Sequence, residues 1–146
     1  MTSKTLPSWI SQRAAGILLH LTSLPSSYGI GNLGKNARVF VDFLNRAGFR
    51  FWQTCPVGPT GFGDSPYQVF SSLAGNPYLI DWDPLIEIDL VREDELSALR
   101  ELPENEVDYG TFYHAFYSPA RLAFSRLSEF RNKIELIYGE MNSFSA

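Results

Sequence analysis

Apolar residues in the first third of the chain fall into two short runs with one helical-period stretch between them. The first run, Gly16-Ile17-Leu18-Leu19-His20-Leu21, closes at the turn-forming Thr22-Ser23-Leu24-Pro25-Ser26-Ser27 and predicts a buried strand. Then comes a glycine-rich stretch, Tyr28 to Gly34, in which Asn32 is placed to cap the next element. Ala37, Phe40, Val41, Leu44 and Ala47 recur at helical spacing, and Gly48 stands where a C-terminal cap belongs. The second run, Phe49 to Val57, is rich in aromatic residues and predicts a strand buried on both faces. Strand, helix, strand is a βαβ unit and implies a parallel sheet.

Farther on, the pattern loosens. Tyr78-Leu79-Ile80 is a short apolar patch, and 84–106 is acidic and punctuated by leucine, which predicts short helical turns on the surface. The last third reads as helix broken at Ser118-Pro119, a cap followed by proline at the first helical position. After it Ala123, Leu127, Phe130, Ile134 and Ile137 alternate steps of four and three, an amphipathic face of the kind that packs on a core.

The 146 residues are about one domain, and 45% hydrophobic with 19% charged excludes a disordered chain. A net charge of −4, with twelve Lys and Arg that do not cluster, gives no footprint for nucleic acid. No apolar run approaches the roughly 20 residues of a membrane span, and 1–24 lacks the pattern of a signal peptide. The single cysteine, Cys55, allows no internal disulfide, so a reducing cytoplasm is the expected location. Two scattered histidines and that cysteine give no metal-ligand spacing, so no metal is expected.

The stretch Val57-Gly-Pro-Thr-Gly-Phe-Gly-Asp-Ser-Pro-Tyr-Gln-Val-Phe70 leaves the C-terminal end of the second strand, the end at which parallel α/β proteins bind ligands. A phosphate cradle fits it badly. Asp64 and Ser65 follow the last glycine where a P-loop needs Lys and Ser/Thr, and the glycine spacing is not that of a dinucleotide site. A plain turn explains the glycines, with Asp64 and Ser65 satisfying nearby amides and Tyr67 plugging the turn. A sugar site uses the remaining residues too. Tyr67 offers a flat face to the C–H side of a sugar, Phe62 a second one, and Asp64, Ser65 and Gln68 offer hydrogen bonds, with Pro66 stiffening the backbone.

The segments AAGILLHLTSLPSSYGIGNLG (14–34) and WQTCPVGPTGFGDSPYQVFSSLAGNPYLIDWDPL (52–85) closely resemble the N-terminal part of 4-α-glucanotransferases, also called amylomaltases or disproportionating enzymes. Val107-Asp108-Tyr109, leading into a helix, fits the same pattern, and the resemblance runs over roughly 13–124. It implies an α/β fold, the N-terminal part of a (β/α)8 TIM barrel with a helical insertion. Residues 13–83 would supply the first barrel strands and the substrate loop, and 84–146 the insertion.

The family moves α-1,4-glucan segments to the 4-hydroxyl of an acceptor sugar with retention of configuration, using an Asp nucleophile, a Glu acid/base and no cofactor. Retention implies carboxyls about 5–5.5 Å apart. A TIM barrel takes about 250 residues, and no acidic residue of this chain matches the family's catalytic ones. Asp64 falls in the substrate loop and Asp81 and Asp83 in structural positions, so the expectation is an incomplete barrel that carries part of the sugar site, inactive alone.

By position Tyr67 matches the tyrosine against the donor sugar, Ser65 and Asp64 match polar residues facing it, and Phe62 replaces a tyrosine at a remoter glucan contact. Cys55 reads as a core substitution, and His20 either packs in the core or lines the site. The competing expectation is a stand-alone carbohydrate-binding or interaction module without catalysis.

Overall fold

In the computed structural model, which describes residues 12–61, 63–71 and 73–138, strand β1 (Gly16–Leu18) runs parallel to β2 (Phe51–Gln53), with Ile17 beside Trp52. The N–H of Arg50 donating to Ala15 (2.9 Å) and that of Leu19 to Gln53 (3.0 Å) extend the ladder. Gly16 permits this approach, since a Cβ there would lie 2.8 Å from the Cβ of Phe51.

Helix α1 (Lys35–Arg46) makes the crossover between the strands, so the βαβ unit stands as expected. Gly34, not Asn32, is its N-cap; Asn32 sits two residues earlier and its side chain accepts the Gly34 N–H at 2.9 Å. At the other end Gly48 takes a φ of 78°, the Gly48 N–H reaches Asn45 and the Phe49 N–H reaches Leu44, which satisfies the last carbonyls.

Both strands are shorter and less buried than their apolar runs predict. Leu21–Ser23 is already a 3₁₀ turn, and neither strand is buried on both faces. The reason is layering: among the described residues β1 and β2 pair only with each other, and α1 covers one face. On that side Trp52 packs edge-on against Phe40 at 4.9 Å, donates its indole N–H to the Leu19 carbonyl at 2.8 Å, and joins a small core with Leu21, Leu24, Ala37 and Leu79. Leu18 and Phe51 lie on the uncovered face, and Val41 of α1 and Ala47, its C-cap, are exposed instead of inward.

A larger core forms beyond the loop. Helices α2 (Asp83–Glu87) and α3 (Ser97–Arg100), with a 3₁₀ turn at Glu93–Leu96, are the short turns expected between 84 and 106. They are not merely superficial: Leu85, Leu90, Val91, Leu96 and Leu99 are all buried with Tyr28, Trp82, Phe112 and Phe116. Glu87, Asp89, Glu93 and Asp94 face outward, which makes the segment look more exposed in sequence than it is, while the Glu95 side chain is buried against Arg126.

Helix α4 (Tyr109–Tyr138) is continuous, without the break expected at Ser118-Pro119. A proline inside a helix costs on the order of 3 kcal/mol. Pro119 is fully buried, and packing around it offsets that cost. The helix starts on Asp108, whose carboxylate accepts the Thr111 N–H (3.1 Å) and hydroxyl (2.6 Å). Its C-terminal half presents Ala123 and Ile134 to the core, with Leu127 and Phe130 partly buried beside them; the side chain of Ile137 lies outside the described residues.

Candidate functional site

Because β1 and β2 are parallel, the segments that leave their C-terminal ends share one side of the sheet. The segment after β2 doubles back on itself through an antiparallel bridge between Thr60 and Val69. The Phe70 N–H donates to Pro59 (3.1 Å) and the Asn76 N–H to Val57 (3.0 Å), so the excursion opens and closes near its base. Its tip turns at Gly63 and Asp64, both in the left-handed region with φ of 86° and 50°. A non-glycine residue held there is uncommon.

Past the turn, Ser65 accepts the Gln68 N–H on its carbonyl (3.0 Å) and the Tyr67 N–H on its hydroxyl (3.4 Å). This local satisfaction is what the plain-turn reading predicts for Ser65. The tyrosine does not fit that reading, because its side chain is 75% exposed and plugs nothing. Asp64, Ser65, Tyr67 and Gln68 thus share one short, solvent-facing stretch; Phe62 lies outside the described residues.

Two further side chains stand at the loop that the sequence reading did not place there. The Cys55 thiol, half-buried just past β2, stands beside the Tyr67 hydroxyl and holds its pKa above the usual tyrosine range. The ring of Phe70, itself 77% exposed, lies against Gly61, where a Cβ would meet it at 2.7 Å. An aromatic residue three places after Tyr67 was the available signal for the second.

Tyr78 packs against α4. Burial, then Tyr117 and more weakly the Asp64 carboxylate raise its hydroxyl pKa far above normal, and its ring packs edge-on to Phe112 (5.0 Å) and Phe116 (5.1 Å). His20 follows β1 on the loop's side of the sheet. Its Nδ1 is buried without a hydrogen-bond partner, and burial lowers the imidazole pKa.

Asp81 and Asp83, the other carboxylates near in sequence, are engaged structurally. Asp81 pairs with Arg38 at 2.8 Å and Asp83 accepts the Tyr28 hydroxyl. Among the described residues no group of His, Cys, Asp and Glu is arranged to hold a metal ion, and no helix is long and apolar enough to cross a membrane.

A family model described as 4-alpha-glucanotransferase matches residues 19–144. The 4-alpha-glucanotransferase of Thermus thermophilus is 51% identical over 117 residues, covering 80% of this chain and 23% of that protein. The one from Synechocystis is 42% identical over 127 residues, covering 87% of this chain and 25% of the relative. Among solved structures, an amylomaltase from Streptococcus agalactiae in complex with acarbose superposes with a TM-score of 0.63 at 35% identity, over 85% of this chain and 28% of that one. The chain spans about a quarter of the length of these relatives.

Proposed function

The chain belongs to the 4-alpha-glucanotransferase family, and from that premise we propose that it serves in the transfer of α-1,4-glucan segments to the 4-hydroxyl of an acceptor glucose or maltooligosaccharide. In this reading β1 and β2 are the first two strands of a (β/α)8 barrel, 13–83 form those strands and the substrate loop, and 84–146 a helical insertion. The uncovered sheet face bearing Leu18 and Phe51 supports the reading, since further barrel elements would cover it. The same face speaks against a stand-alone binding module.

The observation that carries the proposal is the exposed Tyr67 ring on a loop that leaves the C-terminal end of a parallel strand. The ring stacks on the apolar face of a donor glucose, while Asp64, Ser65 and Gln68 hydrogen-bond its hydroxyls, and Phe62 makes a second aromatic contact farther along the glucan. Pro66 restricts the backbone between these groups, so less freedom is lost when sugar binds. The nucleophile and acid/base belong to the barrel as a whole and not to these residues; the loop's part is to hold the donor sugar while the retaining displacement proceeds. A cytoplasmic setting suits the lone thiol of Cys55, which stays reduced there.

The test is a chimera in which residues 13–138 replace the matching segment of the Thermus thermophilus enzyme, assayed on maltotriose. Formation of glucose together with longer dextrins is expected. A chimera that melts cooperatively yet leaves maltotriose untouched would overturn the proposal.

A further inference from the structure

Away from the Tyr67 loop, the buried polar side chains of the molecule meet at one place. Aside from the aromatic Tyr28 and Trp82, the buried polar or charged residues among those described are Ser26, Asn32 and Asp81, with 7%, 8% and 9% of their surface exposed. All three line a cavity of about 320 Å³. Lys35 and Asn36 at the start of α1, Asp83 at the start of α2 and Arg100 at the end of α3 complete its wall.

Each buried group performs one structural task. The Ser26 hydroxyl oxygen accepts the Tyr28 N–H (3.2 Å), Asn32 accepts the Gly34 N–H (2.9 Å), and the Asp81 carboxylate accepts from Arg38 (2.8 Å). Those tasks leave donors over. The Ser26 hydroxyl proton and the Asn32 amide NH₂ find no acceptor among the described residues, and Lys35 enters no ion pair there. Acceptors are left over as well. Asn36 spends its NH₂ on the Pro25 carbonyl (2.8 Å) and keeps its oxygen free, while Asp83 takes the Tyr28 hydroxyl on one carboxylate oxygen and keeps the other. Buried groups of this kind are costly when unmatched.

The charges of the wall decide what matches them. Asp81 and Asp83 repel a phosphate or a carboxylate, Lys35 and Arg100 repel a cation, and so polar a lining rejects an apolar ligand. A neutral molecule uses both sets when each of its groups donates and accepts, as hydroxyls do. The volume lies at the lower end of small-molecule sites, which suits one ring of hydroxyls and not a chain of rings.

We propose that this cavity binds a single monosaccharide, its hydroxyls held by Ser26 and Asn32 at the base and by Lys35, Asn36 and Asp83 at the exposed rim. The inference is independent of the glucan reading of the Tyr67 loop, which contributes none of these residues. Because the wall comes from the β1–α1 connection, α1, α2 and α3, the bound sugar ties the small core under α1 to the larger one around Tyr28.

The experiment titrates the ¹⁵N-labelled 146-residue chain with glucose and, in parallel, with inorganic phosphate and with glycine, following the backbone amides of 26–36, 81–83 and 100. Glucose shifts this set and saturates, while phosphate and glycine leave it in place. Lys35→Met and, separately, Asn36→Ala each weaken the glucose response roughly tenfold, as loss of one hydrogen bond to the ligand requires. Both side chains are exposed, so the melting midpoint is kept. Absence of a saturable glucose response at the cavity would overturn the proposal, and so would a stronger response to phosphate or glycine. A glucose response confined to 65–68 would overturn it while supporting the loop reading. A cavity response that survives both substitutions unchanged would overturn it as well.

Discussion

Arg126 of α4 grips both carboxylate oxygens of Glu95, its two terminal nitrogens donating at 2.8 and 2.6 Å, and one of them also reaches the Leu90 carbonyl at 3.1 Å. The Arg92 N–H adds a further hydrogen bond to the same carboxylate. Together they lock the acidic turn at Glu93–Leu96 onto the long helix.

The lock makes stability depend on pH. Hydrogen bonding from Arg126, then from Arg92, lowers the Glu95 carboxyl from an ordinary 4.5 to about 2. A group whose folded value is depressed stabilises above its unfolded value and loses that contribution as pH falls through the folded one. The melting midpoint should therefore decline from about pH 4.5 toward about 2. Arg126→Ala should melt lower at neutral pH and show less of this decline. A variant with the same acid profile as the parent would contradict the assignment.

The two cores should answer truncation differently from the open sheet face. Phe112 is 1% exposed, and Phe112→Ala should cost about 3–5 kcal/mol in denaturant unfolding. Leu18 is 61% exposed, so Leu18→Ala should stay within about 0.5 kcal/mol. Equal losses from both would mean that β1 is packed on the face described as uncovered.

Cys55 reports on the loop chemically. Its thiol is half-buried next to the Tyr67 hydroxyl. A bulky thiol reagent should reach it about tenfold more slowly than a free cysteine, as a local opening of about 1.4 kcal/mol requires. Tyr67→Ala should speed the reaction. Modification at the free-thiol rate in the unaltered chain would rule out this placement of the loop base.

The parallel βαβ unit was legible because strand and helix periods are local, and Gly48 marked the end of α1 in the sequence itself. Burial was not. Phe51 and Leu18 are as apolar as core residues, and only the layer opposite decides whether they are covered. The segment 84–106 failed in the opposite sense, since its acidic residues concealed Leu96 and Leu99, both 0% exposed. Pro119 reads as a helix start from local rules, and only tertiary packing holds it mid-helix. At the site, Asp64, Ser65, Tyr67 and Gln68 were nameable because they are contiguous. The proximity of Cys55 to Tyr67 was not, because it depends on how the loop folds back toward its own base.

The central claim is that Tyr67 is a platform for sugar. Its most direct test is Tyr67→Ala in the chimera with the Thermus thermophilus enzyme, measuring maltotriose disproportionation and the melting midpoint on the same samples. Loss of one stacked ring is worth about 1–3 kcal/mol, by analogy with rings stacked on nucleic-acid bases. Transfer efficiency should therefore fall roughly 5- to 150-fold, at about 1.4 kcal/mol per factor of ten. The midpoint should hardly move, because the side chain is 75% exposed. Tyr67→Phe, which keeps the ring, should lose less. A Tyr67→Ala chimera with a lowered midpoint and unchanged transfer kinetics would contradict the claim.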